Sequence, residues 1–271
     1  MVERLTQSLR AFATLAGMWI RVSLSYRTSF VVMSLASLVL TGIDFVAILV
    51  VFTNLDALGG FGLSEVAFLY GSTALCLGIA DLLIGNVERL GRRIRMGTLD
   101  AMMVRPVPLF VQVCADEFAL RRIGRITQGA LVFGWSLSRL DVAWTPVRGG
   151  MLVSLLICGT AIFAALFVLG AAFQFVSTDG SEAANAFTYG GNAMTQYPLT
   201  IYPTEVVKGL TFLVPVAFVN WYPALFILGR PNPFGLPSVL QLSSPVAALL
   251  LCLVAALAWH SGVRRYRSTG S

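Results

Sequence analysis

Four stretches of this chain, at 29–53, 64–87, 150–176 and 239–259, each run for about twenty residues or more of mainly apolar side chains. At about 1.5 Å rise per residue, such a run is the length a helix needs to cross the roughly 30 Å of hydrocarbon in a bilayer. The whole chain is 57% hydrophobic and only 12% charged, with a mean hydropathy of +0.80. A soluble domain carries about 25% charged residues, so this one lacks the polar surface that water would demand. Two further runs are less clean. The one at 122–140 has charge only at its ends, and the one at 206–228 is interrupted by Pro215 and Pro223. The reading is an all-α integral membrane protein with six transmembrane helices.

Sidedness follows from the basic residues. With the N-terminus inside, sixteen of the 19 Lys and Arg residues fall in inner segments and three, Arg139, Arg148 and Arg230, fall outside. Both termini are then cytoplasmic, and 264–271 is a short basic tail. Ahead of the first span, residues 1–28 place Glu3, Gln7, Arg10, Thr14, Gly17, Arg21 and Ser25 on one helical stripe. Leu5, Leu9, Phe12, Ala16 and Trp19 lie on the other. That pattern predicts an amphipathic helix in the inner interface, its arginines toward lipid phosphates. No short apolar core followed by a small-residue cleavage site opens the chain, so a removed signal peptide is not expected.

Within the spans, small residues recur at helical spacing. Gly71, Ala74, Gly78, Asp81, Gly85 and Glu88 form one stripe, and Ser34, Ser37, Thr41, Asp44 and Ile48 another. Small residues let helices approach where lipid removes the hydrophobic drive to associate, so both seams should face protein or a cavity. Asp44 and Asp81 are the carboxylates well inside spans, and intramembrane acids are candidate functional groups. Ser37, Thr41, Asp44 and Asp81 are therefore candidate pathway residues. For Asp81 the competing reading is a carboxylate reached by a loop arginine such as Arg89. Pro215 denies Thr211 its helical hydrogen bond and should kink or unwind the fifth span. Asn220 lies in the weakened stretch, either as a satisfied amide that bonds across the bundle or as a substrate contact.

Several chemistries are missing. Lys208 is the sole lysine and is followed by Gly209 and Leu210, so no Gly-Lys-Ser/Thr phosphate loop exists. The single histidine, His260, ends the last span as an interfacial anchor, which leaves no acid/base or metal constellation. Cys76, Cys114, Cys158 and Cys252 are scattered and read as buried free thiols. The arginines sit between apolar spans and form no polar face, so no nucleic acid is expected.

One segment remains to be explained. "ERLGRRIRMGTLDAMMVRPVP", residues 88–108, gathers Arg89, Arg92, Arg93, Arg95 and Arg105 in a cytoplasmic loop. Gly97, Asp100 and Pro106 suit a short capped helix with a defined stop, and Arg105 should end it because it precedes proline.

This loop, extended through "LFVQVCADEFALRRIGR", resembles the type-2 exporter permeases of ATP-binding-cassette (ABC) transporters. The resemblance is to the short six-span branch near antibiotic and multidrug efflux systems. "NAFTYGGNAMTQYPLTIYP" and "FLVPVAFVNWYPALFILGRPNPFGLP" resemble the same family around helix five, and with the span order the likeness covers nearly the whole chain. It implies a six-span domain over 29–263 whose loop 88–108 couples to a separate ATPase subunit, present in two copies, that binds the ATP and Mg. It also implies a second permease, identical or, by slight preference, related. No cofactor would be bound by this chain. Coupling would involve Arg92, Arg93, Arg95, Gly97, Thr98, Leu99, Asp100, Met102, Arg105 and Pro106. Leu99 and Met102 share one helical face, which would sit against the ATPase. Partners would then be the ATPase, the second permease and membrane lipid, in the cytoplasmic membrane of a bacterium. The rival reading is an ion-coupled secondary transporter that uses Asp44 and Asp81, without the inverted repeat such folds carry.

Overall fold

The computed structural model describes residues 2–177 and 180–267; residues 268–271 of the expected basic tail lie outside the described residues. The chain is 79% helix, with no strand among the described residues. A 24-residue helix, α1 (Val2–Ser25), is followed after Tyr26 by α2 (Arg27–Phe52). A tight turn closed by the Leu58–Phe61 bridge leads to α3 (Leu63–Ile84). The loop after it holds three short helices, α4 (Leu90–Arg95), α5 (Thr98–Met103) and α6 (Leu109–Ala115). Then come α7 (Ile123–Arg139), α8 (Pro146–Gln174), α9 (Ser181–Thr195), α10 (Thr204–Lys208), α11 (Trp221–Leu228) and α12 (Ser244–Arg265).

Among the described residues four helices are long and apolar enough to cross a membrane: α2, α3 with its continuation, α8 and α12. The expected third and fifth spans come out differently from the other four. α7 has 17 residues, about 25 Å of helix, slightly less than a hydrocarbon core. The 204–228 stretch is two arms bent by 83°. The reason is the one Pro215 predicts. A wide π turn over 209–213 absorbs the lost hydrogen bond, Val214 is extended, and a short 3-10 turn restarts the helix.

The small-residue stripe of α3 packs directly on α7. A Cβ on Gly71 would stand 2.6 Å from the Phe133 backbone nitrogen, and one on Gly78 would stand 2.9 Å from Ile126 Cγ1. From the other side, Gly124 of α7 lies against α2, where a Cβ would meet the Ser34 carbonyl at 2.6 Å. The α3 seam and the Ser34–Ser37 part of the α2 seam thus face protein, and α7 is the helix they share; Asp44, on the same α2 stripe, is exposed. Asn220, fully buried before α11, donates to the Leu69 carbonyl at 3.0 Å, Thr73 Oγ1 at 2.6 Å and the Thr195 carbonyl at 2.8 Å. Its amide nitrogen fastens the bent segment to α3 and α9, while its Oδ1 is buried without a hydrogen-bond partner.

α1 packs on the loop region after α3 through one side only. Phe12 meets Phe118 edge-on with ring centroids 6.3 Å apart, and Ala16 is buried. Leu9, expected on the same apolar side, is exposed. At the opposite end of the bundle Arg230 donates to both Glu65 oxygens at 2.8 and 2.7 Å and stacks 4.3 Å above the Phe61 ring, closing the turn before α3.

Candidate functional site

The chain turns sharply at the foot of α3, and Arg122 organises that turn. Its Nη1 donates to the Asp81 carbonyl at 2.8 Å and to Asn86 Oδ1 at 3.0 Å, while its Nε lies 3.1 Å from Asp81 Oδ2. Its Nη2 stands 3.7 Å from Glu88, which also accepts from the Tyr189 hydroxyl at 3.2 Å. Gly85 makes the pairing possible, because a side chain there would occupy the space of the Asp81 carboxylate. A buried guanidinium with every face engaged fixes geometry in a way a surface pair does not. Asp81 is thus reached by an arginine, as one reading held, but the arginine is Arg122, with Arg125 3.9 Å away. Arg89 is turned elsewhere and pairs with Glu117. Arg122 was not among the predicted site residues; its only sequence signal is its place at the start of a span.

The 88–108 segment is a pair of short helices pinned to the bundle. Gly97 adopts φ +68°, the left-handed conformation that stops α4 and opens α5. The Thr98 hydroxyl donates back to the Arg93 carbonyl at 3.2 Å, and the Gly91 N–H donates to Gln174 at the end of α8 at 2.6 Å. Gln112 donates to the Met102 and Val107 carbonyls at 2.9 and 2.7 Å, holding the chain around Pro106. Tyr266, just past α12, donates to Asp100 at 2.9 Å. Burial, with that bond and the charge of Asp100, holds its phenol above the ordinary range, so it remains a donor.

Three sequence expectations change here. Leu99 and Met102 do share a face, but it is buried in the chain's own core and cannot meet a partner. Arg93 is buried and paired with Asp116, so it holds the loop together and is not presented outward. The helix ends at Met103, two residues before Arg105, with the Arg105 N–H still reaching the Met102 carbonyl at 3.3 Å. What the segment does present is Met96, Met103 and Val104, the last 85% exposed, together with Arg92, Arg95, Arg105 and Pro106.

Above the Arg122 knot lies a cavity of about 430 Å³ that includes Ser37, Thr41, Asp81, Glu88, Arg125 and Tyr189 in its lining. Three of the predicted pathway residues thus come together. Asp44 is exposed on α2 and does not line it. Pro215 instead borders a separate apolar cavity of about 440 Å³ between α8, α9 and α12. Among the described residues no group of His, Cys, Asp or Glu is arranged to hold a metal ion.

An all-helical chain with several membrane-length helices belongs to the class of multi-pass membrane proteins. The sequence profile described as "ABC-2 family transporter protein" matches residues 38–270, most of the chain, and the chain belongs to that family. No curated protein and no solved structure matches it significantly.

Proposed function

We propose that this chain is the permease subunit of an ABC exporter, and that the 88–108 segment is where a separate ATPase acts on it. The observation that carries this reading is the construction of the segment. Its inner face is anchored by Leu99, Met102, Arg93 and Gln112, while Met96, Met103 and Val104 face outward in an arc with Arg92 and Arg95. A rigid element with an apolar, basic outer face suits a partner groove rimmed by carboxylates, and a push on it passes to α3, α8 and α12 through Arg122, Gln174 and Tyr266. ATP and Mg belong to the ATPase in this reading.

The remaining features of the proposal follow from the same fold. α7 and the bent 204–228 pair supply the third and fifth of six spans, with α1 along the inner interface and both ends of the chain cytoplasmic, in a bacterial cytoplasmic membrane. A second permease, identical or related, covers the apolar surface of α2, and two ATPase copies complete the assembly. Multidrug efflux is the cargo class the resemblance favours. Closure of the ATPase dimer would then bias the bundle between inward-open and outward-open states.

The deciding experiment is co-purification with the candidate ATPase. Met103→Asp with Val104→Asp should leave the permease folded and abolish recovery of the ATPase. Leu99→Asp should instead reduce folded permease, because it buries an unpaired carboxylate inside the chain itself. Normal ATPase recovery and normal transport by the outward-face double variant would overturn the assignment.

A further inference from the structure

We propose that the cavity between α2, α3, α7 and α9 binds an anionic amphiphile, its phosphate or carboxylate head on Arg125 and its chain leaving past Met33 and Leu40. The walls of this cavity are sorted by chemistry. Its mouth is formed by Met33, Ala36 and Leu40, three residues along one stripe of α2 that are all exposed on the apolar surface of that helix. Ser37, Thr41, Glu88, Arg125 and Tyr189 are half-buried, and Asp81 and Arg122 are buried. An opening that is apolar outside and charged inside matches a molecule with a chain and a head.

The sign of the head follows from the donor in the lining that no acceptor meets. Asp81 Oδ2 lies 3.1 Å from Arg122 Nε, and its Oδ1, buried without a hydrogen bond, is packed against Gly85. Glu88 accepts from the Tyr189 hydroxyl and stands 3.7 Å from Arg122. Arg122 Nη1 donates to the Asp81 carbonyl and to Asn86. Arg125 differs. Its Nη1 is buried without a hydrogen-bond partner, 3.9 Å from Asp81 Oδ2, which is beyond hydrogen-bonding range. Its other close neighbour is the face of the Tyr189 ring, 5.9 Å away. A buried guanidinium nitrogen without an acceptor is costly, and an oxyanion supplies the acceptor. The Ser37 hydroxyl is a second donor at the same level. Thr41 contributes no proton, since its hydroxyl already donates to the Ser37 carbonyl at 2.9 Å. The two carboxylates set a limit on affinity, so a bare anion gains too little and the apolar chain must supply the rest.

The test is native mass spectrometry of the full-length chain in maltoside detergent, titrated with dodecyl phosphate, dodecyltrimethylammonium and inorganic phosphate. Dodecyl phosphate should be retained on the protein. The trimethylammonium compound should not be, and inorganic phosphate should be held far more weakly. Arg125→Gln should weaken dodecyl phosphate about tenfold, equivalent to roughly 1.4 kcal/mol. Leu40→Trp, at an exposed position on the cavity mouth, should do the same while leaving the melting temperature unchanged, which covers the case in which the Arg125 variant folds poorly. Equal retention of the cationic compound, equal retention of free phosphate, or unaltered retention in Leu40→Trp would overturn the proposal. The measurement uses this chain alone. Its failure leaves the exporter reading intact, and loss of the exporter reading leaves the binding site intact; only use of the amphiphile as cargo rests on both.

Discussion

Helices α2 and α3 are both apolar, both carry a stripe of small residues and both contain one aspartate, yet the protein treats them in opposite ways. The most apolar window of α3 is 72% buried inside the chain, and that of α2 only 6%. The difference lies in how near the next backbone comes. On α3, Gly71 and Gly78 leave no room for a methyl group between themselves and α7, whereas Gly42 of α2 has open space around it. Inside lipid, apolar side chains gain nothing by leaving one hydrocarbon for another, so hydropathy decides that a helix enters the membrane and steric closeness decides what it packs on. α2 touches α7 along Ser34 and Ser37 and leaves Val32, Val39, Ile43 and Val50 for lipid or a second subunit.

The sharpest way to break this contrast is to remove the two aspartates in turn. Asp81→Leu should destabilise the chain by about 3–5 kcal/mol, because it strands the buried Arg122 guanidinium. Asp44→Leu should leave unfolding in detergent unchanged, and a large loss there would show that α2 is as integrated as α3. Next in size is a pair of glycines. Gly71→Leu should cost about 1–3 kcal/mol or prevent assembly of α3 on α7, read as loss of monodisperse protein, while Gly42→Leu should be silent. Between these lies the turn at Gly97, whose left-handed backbone an alanine would strain by about 1–2 kcal/mol. That variant should loosen the 88–108 segment before it affects the bundle, seen as faster amide exchange over 90–103.

The smallest effect concerns the thiols. Burial pushes the Cys114 thiol in α6 up to about 12, whereas Cys252 on α12 is exposed on the apolar surface. Unfolded Cys loses its proton near 8.5, so between about pH 8.5 and 12 the folded chain holds one proton more at Cys114 than the unfolded chain. Stability should therefore fall as pH rises, by about 1 kcal/mol between about pH 8.5 and 9.5. Alkylation at pH 9 should spare Cys114 until denaturant is added, and a membrane-permeant maleimide should reach Cys252 first. Early labelling of Cys114 would mean that the loop helices open on their own.

Much of this protein was legible without coordinates, because the signals were local. Pro215 predicted a break, and the segment bends by 83° there. Gly97 predicted a turn and is left-handed. The stripe through Gly71 and Gly78 predicted a protein-facing seam and lies on α7. What misled was direction. Leu99 and Met102 are three residues apart and were bound to share a face, but periodicity does not say whether that face meets this chain or another. Asp44 sits in register with Ser37 and Thr41, yet one helical turn further along it has left the cavity they line.

Membrane class, the presence of the long apolar helices and the bend at Pro215 were determined by the sequence alone, since hydrocarbon thickness and backbone hydrogen bonding act on a few consecutive residues at a time. The tertiary structure decided the rest: that Arg122 and not Arg89 holds Asp81, that Asn220 locks the bent segment to Thr73, and that the 88–108 segment presents Met103 and Val104. Arg122 and Asp81 are 41 positions apart, and Asn220 and Thr73 are 147 apart. Bonds over such distances exist only once the helices have packed, because the partner of a buried charge is chosen by which side chain arrives within about 3 Å of it, and no local pattern encodes that arrival.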